Sequence, residues 1–154
     1  MANVLLSGYL ASASSVAWTG ATQKIDSLAD NEWTDLSDEI NNSTNKYPFA
    51  DLYLELGSAA FTGVDSGIEV YIVFSVDDTN YPTWTGNVTT DETENFGFFV
   101  GFMPTTATTA AQKMVLAGVA LPSGKFKFGL RNRGNVALAG SANTLYYRPH
   151  TRAI

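Results

Sequence analysis

Hydrophobic residues recur along this chain with a period of two, and nowhere is the helical period of about 3.6 sustained. Phe49, Leu52, Leu54 and Leu56 alternate with Asp51, Tyr53 and Glu55, behind Pro48, whose missing N–H is tolerable at a strand entrance. This pattern predicts a half-buried strand. Ile68, Val70, Ile72, Phe74 and Val76 alternate with Glu69, Tyr71, Val73 and Ser75, then give way to the turn-forming Asp77-Asp78-Thr79-Asn80. The stretch 96–103, FGFFVGFM, is aromatic and punctuated by glycine, which predicts a strand that is covered on both faces or bends at a bulge, and that is central in its sheet. Lys113 to Leu121, the turn Pro122-Ser123-Gly124, and Lys125 to Asn132 with Phe126, Phe128 and Leu130 on one face together predict a hairpin.

Further turns at Arg133-Gly134-Asn135 and Ser141-Ala142-Asn143 set off a short strand from Val136 to Ala139 and a last one from Thr144 to Pro149. Adding strands at Val4 to Leu10 and near Thr22 to Ser27 brings the total to about eight. That is the count of an all-β, single-domain antiparallel β-sandwich of jelly-roll type. The one helical candidate, Thr34 to Ile40 with Asp35 as cap, is too short to be stable without packing. Residues 1–21 read as an extended N-terminal arm or edge strand, and residues 22–154 as the sandwich domain.

Composition sharpens this picture mainly by exclusion. The 154 residues are 45% hydrophobic and only 16% charged, so the surface must be rich in Thr, Ser, Asn and Gly; Thr alone occurs 17 times. Cysteine is absent, which removes disulfide scaffolds, thiolate catalysis and Cys-ligated metals. The longest apolar runs, 98–103 and 114–121, fall far short of the ~20 residues a helical membrane span needs. The start, MANVLLSGYL, lacks the basic flank of a signal peptide and is expected to be a strand or arm.

Charge is segregated along the chain: residues 1–94 sum to −13, residues 95–154 to +7, and the whole to −6. Lys125, Lys127, Arg131, Arg133 and Arg148 are therefore candidates for a basic contact surface. The competing expectation is that they form the solvent face of one hairpin, neutralised by acids on neighbouring strands. The net negative charge and the lack of a basic stripe interleaved with aromatics argue against nucleic acid as a partner.

Candidate chemistry is sparse. The single histidine, His150, lies between Pro149 and Thr151 and is expected to be an exposed tail residue, since no second His or Cys can share a metal with it. No G-x-S-x-G motif is present. The acidic stretches 77–80 and 91–95 offer oxygen ligands but lack EF-hand spacing, and turn or surface acids account for them. No cofactor, no metal and no enzymatic activity are expected. The long polar loop 77–95 carries exposed-looking Tyr81 and Trp84, and loop 30–46 carries Trp33. With Trp18 these aromatics can be imagined as a sugar-binding platform, which keeps a lectin-like carbohydrate-binding module as an alternative. The competing expectation is that Trp18 and Trp33 are packing residues.

Thr22 to Leu28, Glu32 to Leu36, Glu69 to Val73 with Asp78 to Pro82, Val119 to Phe128, Arg131-Asn132, Val136 to Ala139, and Asn143 to Pro149 form a set of segments. Together they resemble small virion structural proteins of tailed bacteriophages. The resemblance spans roughly residues 22–150 and rests on fold-type motifs, not catalytic signatures. It implies a jelly-roll head decoration, or cement, protein: a non-enzymatic homo-oligomer, more readily a trimer than a dimer, on the outer surface of the capsid of a virion assembled in the host cytoplasm. There it would bind the major capsid protein and stabilise contacts between its subunits. A tail or fibre component of similar fold is the alternative within the same group. On this reading the uncharged arm (Val4, Leu5, Leu6 and Tyr9) and the basic residues above would make the contacts to capsid or to neighbouring copies, and Tyr81 and Trp84 would mark a glycan or partner loop.

Overall fold

The computed structural model describes residues 12–86 and 97–151, and its strands follow the period-two pattern. In chain order they are β1 (Ser14–Ser15), β2 (Ile40–Asn41), β3 (Phe49–Leu56), β4 (Gly67–Phe74), β5 (Phe98–Pro104), β6 (Gln112–Ala120), β7 (Lys125–Arg133) and β8 (Thr144–His150). All pairings are antiparallel, and they build two four-stranded sheets, β1-β8-β3-β6 and β2-β7-β4-β5. The molecule is an all-β sandwich, with no helix among the described residues. Within these sheets the pairs β1–β8, β2–β7, β3–β6 and β4–β5 each join partners equally far from the β4–β5 connection. The chain is thus arranged as one long hairpin whose paired arms are shared between two layers.

Alternation drives the layers together. On β3, Ala50, Leu52, Leu54 and Leu56 are buried, while Asp51, Tyr53 and Glu55 face outward. Phe49 belongs to the outward set, one residue out of phase with the expected apolar face. Ile68, Val70 and Ile72 of β4, Phe126, Phe128 and Leu130 of β7, and Leu145 of β8 complete the shared core. Burying a large apolar side chain of this kind stabilises the fold by roughly 1.5–3 kcal/mol.

Three expectations need correction. The predicted hairpin 113–132 is not one: β6 and β7 lie in different sheets, so the Pro122-Ser123-Gly124 turn carries the chain across the sandwich. The aromatic strand β5 is an edge, not a centre, and Phe98, Phe99 and Phe102 are exposed. Thr22 to Ser27 and Val136 to Ala139 are irregular. They nonetheless dock on the core through buried Ile25, Leu28 and Leu138, with the Leu138 N–H donating to the Leu28 carbonyl. Thr34 to Ile40, too short for a stable helix, forms none and runs beside β7. The Thr34 and Leu130 backbones are tied in both directions, by Thr34 N–H to the Leu130 carbonyl and Leu130 N–H to the Thr34 hydroxyl, and Ser37 does the same with Phe128. Two hydroxyls here stand in for main-chain acceptors, which lets an irregular segment cover a sheet edge. The predicted strand Val4 to Leu10 lies outside the described residues.

Candidate functional site

The segregated charges along the chain do not form separate ends of the molecule, because the sheet order interleaves the two halves. Basic β7 sits between β2 and β4, and β8 sits beside β3. Lys125, Lys127, Arg131 and Arg133 share the outward face of β7, whereas Arg148 lies on the other sheet. Acids of neighbouring segments meet several of them: Lys125 Nζ is 3.0 Å from Glu39 and Arg131 Nη1 is 3.8 Å from Glu69. On the opposite sheet Lys113 meets Glu55 at 3.0 Å. Neutralisation by neighbouring strands is therefore what the fold provides, although the bases belong to a single strand of a sheet and not to a hairpin.

Tyr81 and Lys127 belong to the same cluster. The Tyr81 hydroxyl donates to Glu39 at 2.9 Å, Lys127 lies 4.8 Å from the centre of its ring, and Lys125 also donates to the Asp78 carbonyl. The Lys125 ammonium, and then the Tyr81 hydroxyl, hold the Glu39 carboxyl below its usual range. Partial burial and the Glu39 contact push the Tyr81 phenol well above its own. Next to this cluster the turn at 77–80 is closed by Asp77, which accepts from the Asn80 and Thr79 backbone N–H groups and from the Asn80 amide. Those bonds, led by Asn80's, hold the Asp77 carboxyl well below the usual carboxylate range, as expected of a turn acid. Among the described residues no three His, Asp or Glu side chains gather as metal ligands; residues 91–95 lie outside them.

Trp84 is not presented to solvent. Its indole is half-buried, donates from Nε1 to the Thr34 carbonyl at 2.8 Å, and meets Trp33 edge-on with centroids 5.2 Å apart. Tyr71 of β4 packs on both tryptophans, and the Arg131 guanidinium lies 5.1 Å from the Trp33 ring centre. Trp18 and Trp33 are themselves 7% and 3% exposed, so the four aromatics imagined as a sugar platform are two core residues, one half-buried residue and one member of the charge cluster. The packing expectation for Trp18 and Trp33 matches the structure, and the exposed reading of Trp84 does not.

His150 also departs from expectation. It is 1% exposed, its Nε2 lies 3.3 Å from Asp51 Oδ1, and its ring stacks on Phe49. Pairing of β8 with β3 sets His150 opposite Phe49, on the same outward face of the sheet as Asp51, where it is nonetheless buried. Neither a family model nor a curated protein sequence matches this chain.

One feature escaped the sequence. β5 and β6 are the edges of their respective sheets on the same side of the sandwich, and between them opens a groove of about 630 Å³ lined by Ile72, Phe74, Phe98, Phe99 and the 117–122 stretch. Phe98 and Val115 are each 64% exposed and Phe99 is 57% exposed. Consecutive phenylalanines in a strand cannot both point inward, and that was the available signal. Val4, Leu5, Leu6 and Tyr9 lie outside the described residues.

Proposed function

We propose that this chain is a jelly-roll structural protein of a phage virion, a homo-oligomer that decorates the outer capsid surface and clamps adjacent major capsid subunits without enzymatic activity. The nested pairing of β1 with β8, β2 with β7, β3 with β6 and β4 with β5 supports the jelly-roll assignment, since two interlocked Greek keys produce that order. The observation that carries the reading is the contrast between the two sides of the sandwich. On one side the edge strands β1 and β2 are two residues long; on the other, β5 and β6 run for seven and nine residues beside exposed Phe98, Phe99 and Val115. Long apolar edges are hazardous on a free monomer and useful on one that is covered in its assembly.

A clamp of this kind works by linkage: a protein that binds only the mature shell stabilises it by its binding free energy, repeated at every copy. The test is co-sedimentation of the purified protein with capsids of its source virus lacking this component. The expected result is saturation at a fixed, symmetry-compatible ratio to the major capsid protein. Capsids that pellet without it would transfer the proposal to a tail or fibre position, or end it.

A further inference from the structure

We propose that the groove between β5 and β6 receives the N-terminal segment, residues 4–10, of a second copy of this chain, which lies there as an added strand and links copies head to tail. The inference rests on the oligomeric part of the reading above and not on the capsid.

The groove is built to take a backbone. Among the described residues that line it no side chain is charged, so a small polar ligand finds no group there to orient it. What the groove does offer is the outer N–H and C=O rows of two edge strands. Both edges carry an extra residue facing it. β5 skips register at Val100, between the Val70–Gly101 and Tyr71–Phe99 pairs, and β6 skips at 117–118, between the Ala50–Val119 and Leu52–Leu116 pairs. Gly118 adopts the left-handed backbone a bulge requires (φ 68°), and its N–H is turned back to Asp51 Oδ1 at 2.9 Å. Gly101 lets Leu116 close the gap beyond the bulges, where any side chain at 101 would overlap it. The edges thus meet where Leu116 packs on Gly101, and beside the bulged residues Val100 and Gly118 they border a slot that Phe74, Phe98 and Phe99 also line.

The matching segment is Val4-Leu5-Leu6-Ser7-Gly8-Tyr9-Leu10. It is apolar, and no charged side chain occurs before Lys24. An extended peptide that adds a strand to an exposed edge gains affinity from main-chain hydrogen bonds and specificity from pockets for alternate side chains. Exposure argues for a second copy as donor: Phe98 is 64% and Phe99 57% exposed on the single chain, an open apolar edge of the kind that is covered in an assembly. An arm-to-groove contact joins two different patches, so repetition closes a ring when the rotation permits, as a cyclic trimer does.

The natural absence of cysteine makes the test direct. Two single-cysteine chains are mixed and oxidised: one carries Leu5→Cys, Leu6→Cys or Leu10→Cys, the other Ala117→Cys or Phe98→Cys at exposed groove positions. The expected result is a disulfide-linked heterodimer for at least one pairing, suppressed when the groove chain also carries Val100→Glu. No heterodimer from any pairing overturns the proposal, as does a double-cysteine chain that links only to itself. Sedimentation gives a second reading on the full chain. Ala117→Glu with Phe98→Asp should convert an oligomer to a monomer with an unchanged far-ultraviolet circular dichroism spectrum, and a native chain that is monomeric at every concentration overturns the proposal. Because no capsid is present, cross-linking without capsid binding would count against the decoration role alone.

Discussion

Trp84 packs directly on the backbone of Gly129, where any side chain would overlap the six-membered ring of the indole. The missing side chain in the middle of β7 is what lets loop 77–86 lie down on the sheet and lets Nε1 reach Thr34. Gly129→Ala should therefore expel the indole, at a cost of about 1–3 kcal/mol for overpacking. Urea unfolding and a red shift of tryptophan emission check it; unchanged emission would mean that Trp84 has another resting place.

Asn132 should be among the least replaceable polar residues. Fully buried at the end of β7, it donates from Nδ2 to the Leu28 and Val136 carbonyls and accepts the Gly134 N–H. It thereby ties two irregular segments to the sheet. Asn132→Ala leaves three main-chain groups without this partner and should lose about 2–4 kcal/mol, read as a fall in the urea midpoint.

Reversing charge on β7 tests folding before it tests binding. Arg131 is wedged between Glu69 and the Trp33 ring, with 12% of its side chain exposed, so Arg131→Glu sets a second carboxylate beside Glu69. A loss of about 2–3 kcal/mol is expected after allowing for the partly open site. Lys125→Glu breaks a more accessible pair and should lose less than ~1 kcal/mol. A double-mutant cycle with Glu69→Gln separates pairing from ring contact, and equal losses at Arg131 and Lys125 would contradict this ranking.

The Tyr81–Glu39 contact predicts a pH dependence. Glu39 has a depressed pKa in the folded protein, so its contribution to stability is present above the unfolded value of about 4.3 and fades as pH falls through the lower folded one. Tyr81 has a raised pKa, so its contribution is present below about 10 and is lost as pH rises through the folded value. Tyr81→Phe should raise the Glu39 pKa toward its ordinary value in a carbon-13 carboxyl titration. Its stability should converge on that of the native chain in acid. A gap that widens on acidification would reverse the assignment.

What could be read from the sequence depended on where one face of a strand is buried and the other wet. β3 and β4 are of that kind, and their alternation located them within a residue or two. β1 and β2, two residues each, are set by pairing with β8 and β7 and leave no periodic trace. The turn 122–124 announced a change of direction, but a turn signal is the same whether the chain stays in its sheet or crosses to the next. His150 looked like a tail residue because linear position carries no information about register; only the β3–β8 ladder brings it to Asp51 and Phe49. The groove needed two consecutive strands, β5 and β6, to become edges of different sheets, and its one local sign, the adjacent Phe98 and Phe99, suggested burial instead.

The nested pairing of strands also sets an order of events in time. β3 obtains its neighbour β8 only from residues 144–150, and Ser14 meets Tyr147 across almost the whole described chain. Such remote pairings make closure entropically slow and leave half-made sheets exposed during synthesis. The sheet that contains β3 then cannot close before residues 144–150 have been made, and a nascent chain halted before residue 144 leaves one edge of β3 unpaired.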